Sequence, residues 1–127
     1  MKALITGASS GIGRDMAKYL SGLGCDLIIC GRNKEELERL QSSLKTRVKV
    51  VVIDLSSEKR VKDLYVITKN ENIDILINNA GFGLYGDYNS VDILTELSMI
   101  DVNIKAVHIL TRMFLKDMVK KDKGYIL

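Results

Sequence analysis

Three glycines follow the first short apolar run of the chain and precede an amphipathic segment. Gly7, Gly11 and Gly13 stand in the stretch Thr-Gly-Ala-Ser-Ser-Gly-Ile-Gly, directly after the run at residues 3–5. Gly7 permits a tight turn, Gly11 lets the backbone approach a pyrophosphate, and Gly13 lets a helix pack close to the strand. The free N–H groups and the dipole of the helix's first turn favour an anion. The pattern predicts a dinucleotide phosphate site, although its first interval is one residue longer than the usual fingerprint.

The second apolar run, residues 27–30, ends in Gly31-Arg32-Asn33. In a dinucleotide site this strand end meets the adenosine ribose, where an acid binds the 2′-hydroxyl and an arginine accommodates a 2′-phosphate. Gly31 occupies the place of the acid and Arg32 follows it, so the sequence favours NADP(H) over NAD(H). The alternative is a solvated arginine at a strand end. Asn33 is included in the same predicted site, and with Glu36 it also resembles a cap for the next helix.

Polar or small residues also end the third and fourth apolar runs. Asp54 and Leu55 follow the run that ends at residue 53, where the carboxylate could accept a hydrogen bond from an adenine amino group and Leu55 could flank the ring. Asp54 could equally cap the following helix. The stretch Asn78–Gly81 (Asn-Asn-Ala-Gly) follows the run 73–77. It suits close contact with a ligand and hydrogen bonds between strands, and the alternative is an ordinary turn.

The elements that must position these residues alternate along the chain. Four short, nearly continuous apolar runs (3–5, 27–30, 48–53 and 73–77) are typical of strands covered on both faces, and amphipathic helical patterns separate them. This order predicts a Rossmann-like, doubly wound parallel sheet in a three-layer α/β/α domain, with strand order 3-2-1-4. Residues 124–127 indicate the opening of a fifth strand beside the fourth. The predicted helix faces include Ile12, Met16, Leu20 and Leu23 in the first helix.

The segment from Ser90 to Lys121 differs from the other helical segments because it is apolar over most of its circumference. It predicts one long helix, broken near Ser98, that is covered on more than the sheet side. The cover is either the rest of the same fold or a second subunit, and we expect a homo-oligomer through residues 98–120. The apolar stripe expected to be exposed in this chain consists of Val102, Ala106, Ile109 and Met113.

Together with Asn103, these motifs resemble the short-chain dehydrogenase/reductase family in order and spacing over the whole chain. The resemblance implies that the glycine-rich stretch binds the pyrophosphate and ribose, that Arg32 binds the 2′-phosphate, and that Asp54 and Leu55 bind adenine. It also implies that Asn103 positions the catalytic lysine through water and serves a proton relay. The implied pyrophosphate and ribose residues are Gly7, Ser9, Ser10, Gly11 and Ile12, and those at the nicotinamide-side ribose are Asn79, Ala80 and Gly81.

The family's catalytic groups, a serine and a Tyr-x-x-x-Lys motif, follow the fifth strand. In this sequence only Tyr65 and Lys69 have the Tyr-x-x-x-Lys spacing. They precede the fourth strand, and we interpret them as surface residues of a helix. We therefore expect residues 1–127 to be the cofactor-binding, N-terminal part of one longer domain, inactive alone. The expected parent is an NADP(H)-dependent oxidoreductase that transfers hydride between nicotinamide and a carbonyl or alcohol substrate. The alternative is a non-catalytic dinucleotide-binding or dimerisation module.

The composition of the chain excludes several structural and functional classes of protein. The 127 residues are 46% hydrophobic and 28% charged, which suits one folded domain and excludes wholesale disorder. The formal charge of +3 is scattered and gives no basis for a nucleic-acid partner, and no apolar run approaches the ~20 residues of a membrane span. Two cysteines, Cys25 and Cys30, predict neither a disulfide framework nor a metal site, and we expect Cys30 in the core of a cytoplasmic protein.

Overall fold

The computed structural model describes all 127 residues and places five strands in one parallel sheet. The strands run in the order β3-β2-β1-β4-β5, which is the order predicted from the sequence, with the short fifth strand beside the fourth. Every neighbouring pair is parallel. Each predicted apolar run coincides with one strand, and β1 and β2 extend one residue beyond their runs at each end. The bounds are β1 Lys2–Thr6, β2 Asp26–Gly31, β3 Val48–Val52, β4 Ile75–Ile77 and β5 Tyr125–Ile126.

Helices connect the strands and cover both faces of the sheet. The α-helices are α1 Gly11–Gly22, α2 Lys34–Ser43, α3 Glu58–Thr68, α4 Ile93–Ile100 and α5 Val107–Lys120. A 3₁₀ turn, Tyr88–Ser90, precedes α4, and a π-helical segment, Asp101–Ala106, joins α4 to α5. No helix combines the length and apolarity needed to cross a lipid bilayer.

Side chains of the strands alternate between two hydrophobic cores, one on each face of the sheet. In β1 and β2, Leu4, Ile28 and Cys30 pack with residues of α3 and α5 in the first core. Ala3, Ile5, Leu27 and Ile29 pack with residues of α1 and α2 in the second. This two-sided burial explains why the strands are continuous apolar runs, and it confirms the three-layer α/β prediction. Burial raises the pKa of the Cys30 thiol to about 12.

The predicted apolar face of α1 is wrong in part. Its buried residues are Gly13, Ala17 and Ser21, whereas Ile12 and Leu23 are 69% and 64% exposed. The cause is the close approach of the helix to the glycine turn, because a Cβ at position 13 would lie 2.5 Å from the Gly7 carbonyl oxygen. Small residues therefore face the sheet, and the long apolar residues are displaced towards the sides.

The predicted break near Ser98 is also wrong, because the helical path is continuous from Ile93 to Lys120 and departs from α-geometry only in the π-helical segment. That segment widens the helix by one residue, and the face buried after it follows ordinary α-helical spacing: Ala106, Leu110, Phe114 and Met118. Ala106 was predicted to be exposed and is buried, so the predicted stripe is interrupted. The exposed apolar face instead includes Leu97, Ile100 and Ile104.

Candidate functional site

A cleft of about 470 Å³ lies over the carboxyl ends of the strands, at the point where the sheet order reverses between β1 and β4. In open α/β sheets this reversal is the place where ligands bind. All the predicted site residues except Gly13, Asn33 and Asn103 line the cleft. The lining residues from this prediction are Gly7, Ser9, Ser10, Gly11, Ile12, Arg32, Asp54, Leu55, Asn79, Ala80 and Gly81.

The glycine turn forms the floor of the cleft. Gly7 has a φ of +66°, and a Cβ there would lie 2.7 Å from the Cα of Ala80. Gly11 has a φ of +53° and faces open space, since a Cβ there would meet no atom within 4 Å. Ser10, the N-cap of α1, makes no side-chain capping hydrogen bond. The first turn of α1 therefore faces the cleft with N–H groups that no side chain caps, as an anion site requires.

The hydroxyl of Thr6 joins the ends of β1 and β4 beneath the cleft. Its oxygen accepts hydrogen bonds from the backbone N–H groups of Asn79 (3.0 Å) and Ala80 (2.9 Å), and it donates to the Ile77 carbonyl (3.3 Å). The side-chain amide of Asn79 returns the contact by donating to the carbonyls of Thr6 (3.0 Å) and Gly7 (3.1 Å). The predicted hydrogen bonding between neighbouring strands is thus confirmed, and Thr6 is a residue that the sequence prediction missed.

Arg32 brings an unpaired positive charge to the adjacent part of the cleft. It forms no salt bridge, whereas the nearby Lys34 and Arg39 pair with Glu38 and Glu36. Position 31 beside it has no side chain, and a Cβ there would be in van der Waals contact with the Ser9 hydroxyl oxygen at 3.4 Å. An anionic ligand can therefore approach Arg32 without displacing a carboxylate of the protein.

Asp54 turns the chain from β3 towards α3 and also lines the cleft. Its Oδ1 accepts the backbone N–H of Ser56 at 2.9 Å, while Ser57 is the N-cap residue of α3. The Ser56 N–H, and after it the charges of Arg32 and Arg60, hold the pKa of the Asp54 carboxyl below its ordinary value. Asp54 is therefore an ionised acceptor at neutral pH, with one oxygen committed to the turn.

Two of the predicted residues outside the cleft lining have structural contacts. The side chain of Asn33 accepts the Glu36 N–H at 3.1 Å and so caps α2, which confirms the predicted cap. Gly13 lies behind the glycine turn, where a Cβ would collide with the Asn79 side chain. Its predicted role in close helix packing is therefore confirmed.

Asn103, in the π-helical segment, contacts the loop that follows β4. Its Oδ1 accepts the Phe82 N–H at 3.0 Å, and its Nδ2 donates to the Phe82 carbonyl at 2.8 Å. A Cβ at Gly81 would lie 3.0 Å from the same Oδ1. Asn103 thus fixes Gly81 and Phe82, both of which line the cleft.

The Tyr-x-x-x-Lys spacing at Tyr65 and Lys69 does not reach the cleft. The Tyr65 hydroxyl donates to Asp117 Oδ2 at 2.7 Å, and its ring packs edge-on against Phe114 with centroids 5.2 Å apart. The hydrogen bond to Asp117 raises the pKa of Tyr65. Tyr65 therefore belongs to the contact between α3 and α5 and is partly buried against the core, so the surface interpretation is wrong for Tyr65 and holds only for the exposed Lys69. The single histidine, His108, is exposed on α5.

The remaining lining residues had no strong signal in the sequence. Ser98 and Val102 reach the cleft from α4 and the π-helical segment, and Phe82 from the loop after β4. Tyr85 and Tyr88 lie further along the chain after β4. They are 97% and 84% exposed, so neither packs against the rest of the protein.

The chain is similar in sequence to a known protein family and to individual known proteins. The whole chain, residues 1–127, matches a family model described as short chain dehydrogenase. The chain is 39% identical over 127 residues to a 3-oxoacyl-(acyl-carrier-protein) reductase of Rickettsia prowazekii, with 98% of this chain and 51% of that protein covered. It spans about half the length of the curated relatives it matches.

Solved structures share the fold closely. A metagenomic short-chain oxidoreductase in complex with NADP matches with a TM-score of 0.91 at 29% identity, over 99% of this chain and 60% of that chain. A bulky-bulky ketone specific alcohol dehydrogenase from Comamonas testosteroni matches with a TM-score of 0.90 at 30% identity, over 98% of this chain and 52% of that chain.

Proposed function

The chain belongs to the short-chain dehydrogenase family, and from that premise we propose that residues 1–127 form the NADP(H)-binding part of an oxidoreductase domain. The reaction is hydride transfer between nicotinamide and a carbonyl or alcohol substrate. The observation that carries the proposal is that Arg32, which forms no salt bridge, lies beside Gly31 in the same cleft as the glycine turn. A 2′-phosphate would meet a guanidinium without a salt bridge there, and Gly31 stands where an acid would bind the 2′-hydroxyl of NAD(H), which favours NADP(H).

The dinucleotide would lie along the cleft from Arg32 to Gly81. The first turn of α1 and the open backbone at Gly11 would hold the pyrophosphate, because N–H groups there face open space. Asp54, with one oxygen outside its turn, and the buried Leu55 would hold adenine. Asn79, Ala80 and Gly81, which follow β4, would lie beside the nicotinamide-side ribose.

The bound nicotinamide would supply or accept the hydride, and this chain's residues would bind and orient it. Thr6 and Asn79 keep the strand ends in register under the ligand, and Asn103 keeps the Gly81–Phe82 wall in place. In this proposal Asn103 also serves the proton relay of the complete site. Within residues 1–127 the hydroxyl of Tyr65 is engaged with Asp117 outside the cleft, so proton transfer to substrate needs groups additional to these residues.

The names of similar proteins support a carbonyl or alcohol substrate, since one is a 3-oxoacyl reductase and another a ketone-specific alcohol dehydrogenase. A third was solved with NADP, which supports the cofactor assignment. The cytoplasmic location stays a prediction.

We also propose that the protein self-associates through the helical region at 98–120. Ile100 and Ile104 are 45% and 63% exposed, and Leu97 in the preceding turn adds to the same apolar surface. Burying apolar area of this kind contributes about 25 cal/mol per Å². The same observation favours the second candidate function, a dimerisation module without redox chemistry.

The test is titration of the purified protein with NADPH and NADH by calorimetry, followed by an assay of NADPH oxidation with a panel of ketones and aldehydes. We expect NADPH to bind more tightly than NADH and residues 1–127 alone to show no turnover. If neither nucleotide binds, the proposed function is contradicted and the dimerisation module remains as the candidate function. Turnover by residues 1–127 would contradict the statement that further groups are needed.

A further inference from the structure

Ser98 brings to the cleft a hydroxyl that has no role in the proposed binding of the dinucleotide. It lies in α4, is half-buried, and lines the cleft. Val102, one helical turn further on, lines the cleft from the same side of the helix. The Ser98 hydroxyl makes no hydrogen bond within the protein, so it is available to a molecule that occupies the cleft.

Most other serine and threonine hydroxyls of the chain have a hydrogen-bond partner. Ser42 donates to the carbonyl four residues before it at 2.9 Å, and Thr68 does the same at 2.7 Å. A bond of this kind to the preceding turn is usual for a serine or threonine inside a helix, and Ser98 lacks it. Outside the turn between β3 and α3, the hydroxyls without a partner are those of Ser9, Ser10 and Ser98, and all three line the cleft.

The helix that carries Ser98 leads into an apolar part of the cleft. One turn after Val102 it reaches Ala106, which is buried in the core that also contains Ile53 and Leu55. Ile53 and Leu55 line the cleft at the end of β3, and Val102 lines it from the π-helical segment. Apolar side chains from two elements can contact the faces of a planar base, while a few polar groups beside them fix its orientation.

We propose that Ser98 is a specificity-determining residue whose hydroxyl forms a hydrogen bond with the polar edge of the adenine base. The inference rests on the proposed function, because it presupposes a dinucleotide in the cleft with its adenine beside Leu55. The carboxylate of Asp54 only accepts hydrogen bonds, so it can bind the amino group of adenine but not a ring nitrogen. A hydroxyl also donates, and Ser98 therefore supplies the donor that a ring nitrogen needs.

The experiment measures the dissociation constants of three ligands by calorimetry. Ser98→Ala should weaken the binding of NADP⁺ and NAD⁺ by the same factor, about two- to tenfold, because one neutral hydrogen bond is lost and both ligands carry adenine. Adenosine 2′,5′-bisphosphate keeps the adenine and lacks the nicotinamide half, and its binding should weaken by the same factor. Ser42→Ala is the matched control, since it removes an exposed hydroxyl that is already bonded within α2. We expect it to change none of the three constants.

Urea denaturation separates a direct contact from a structural role of Ser98. Alanine favours a helix at least as well as serine, so the free energy of unfolding of Ser98→Ala should not fall. Unchanged affinities in Ser98→Ala would overturn the inference, and so would a loss of affinity that accompanies a loss of stability. A loss for the two dinucleotides but not for the bisphosphate would also overturn it, because the hydroxyl would then act on the nicotinamide half. If the wild-type protein binds none of the three ligands, the proposed function itself fails, which distinguishes the two cases.

Discussion

Asn103 binds both polar groups of the Phe82 backbone, one with each end of its side-chain amide. The contact joins the π-helical segment to the loop after β4, 21 residues away in the chain. The side chain of Asn103, which we propose serves the proton relay, therefore also has a structural role. The π-helical geometry, which often marks functional sites, is found where this side chain meets the loop.

Replacing Asn103 with Ala should lower the free energy of unfolding by about 1–3 kcal/mol, because two hydrogen bonds of about 0.5–1.5 kcal/mol each are lost. It should also weaken dinucleotide binding, since Gly81 and Phe82 line the cleft. Urea denaturation and calorimetry measure the two effects. Asn70→Ala, at an exposed turn, is the control and should change neither the free energy of unfolding nor the dinucleotide affinity. If Asn103→Ala changes neither quantity, the contact has no such role.

The Thr6 hydroxyl should be essential for the join between β1 and β4. Thr6→Val keeps the shape but leaves the partly buried N–H groups of Asn79 and Ala80 without their acceptor, at about 1 kcal/mol or more for each group. Thr6→Ser keeps the hydroxyl and loses only a methyl group. We expect a large loss of unfolding free energy in the valine variant and a small one in the serine variant. A larger loss in the serine variant than in the valine variant would mean that the methyl group, and not the hydroxyl, matters.

Two glycines with similar backbone strain allow binding to be separated from stability. Gly11 and Gly24 have φ values of +53° and +84°, and a Cβ at either would meet no atom within 4 Å. Alanine at either position should therefore cost about 1–2 kcal/mol of stability through the backbone alone. Only Gly11→Ala should weaken NADPH binding, because only Gly11 lines the cleft. Similar NADPH affinities for the two variants would argue against a pyrophosphate at this turn.

Much of this arrangement could be predicted from the sequence, since parallel strands end at one edge of the sheet. Four apolar runs and the residues that follow them sufficed to bring Gly11, Arg32 and Asp54 together. Long-range side-chain contacts had no such signal: neither the Thr6 hydroxyl nor the Asn103–Phe82 contact follows from local spacing. The exposed stripe of the long helix was mispredicted because Ala106 lies on the same face of the helix as Leu110, Phe114 and Met118 and is buried with them in the core.

A network of charges at the amino ends of the strands, opposite the cleft, should make the free energy of unfolding depend on pH. Glu71 accepts hydrogen bonds from Lys49 (2.7 Å) and Lys2 (2.9 Å), which lower its pKa to about 2. Because its pKa in the folded protein is below the ordinary value of 4.5, this stabilisation is complete above pH 4.5 and is lost as the pH falls towards 2.

Denaturation midpoints between pH 7 and pH 2.5 measure this effect. Glu71→Gln should be less stable than the wild type at pH 7 and should converge with it at low pH. Glu35→Gln, at an exposed residue of α2 without a salt bridge, should run parallel to the wild type at every pH. A constant difference between Glu71→Gln and the wild type would contradict the assigned role.

The most direct test of the central claim is calorimetric titration of Arg32→Ala with NADP⁺ and NAD⁺. Loss of a charge-assisted contact with the 2′-phosphate should weaken NADP⁺ binding by about 1.5–3 kcal/mol, or roughly ten- to 150-fold. Binding of NAD⁺, which has no 2′-phosphate, should change little. Equal losses for the two nucleotides, or no loss for NADP⁺, would contradict the account of this cleft as an NADP(H) site.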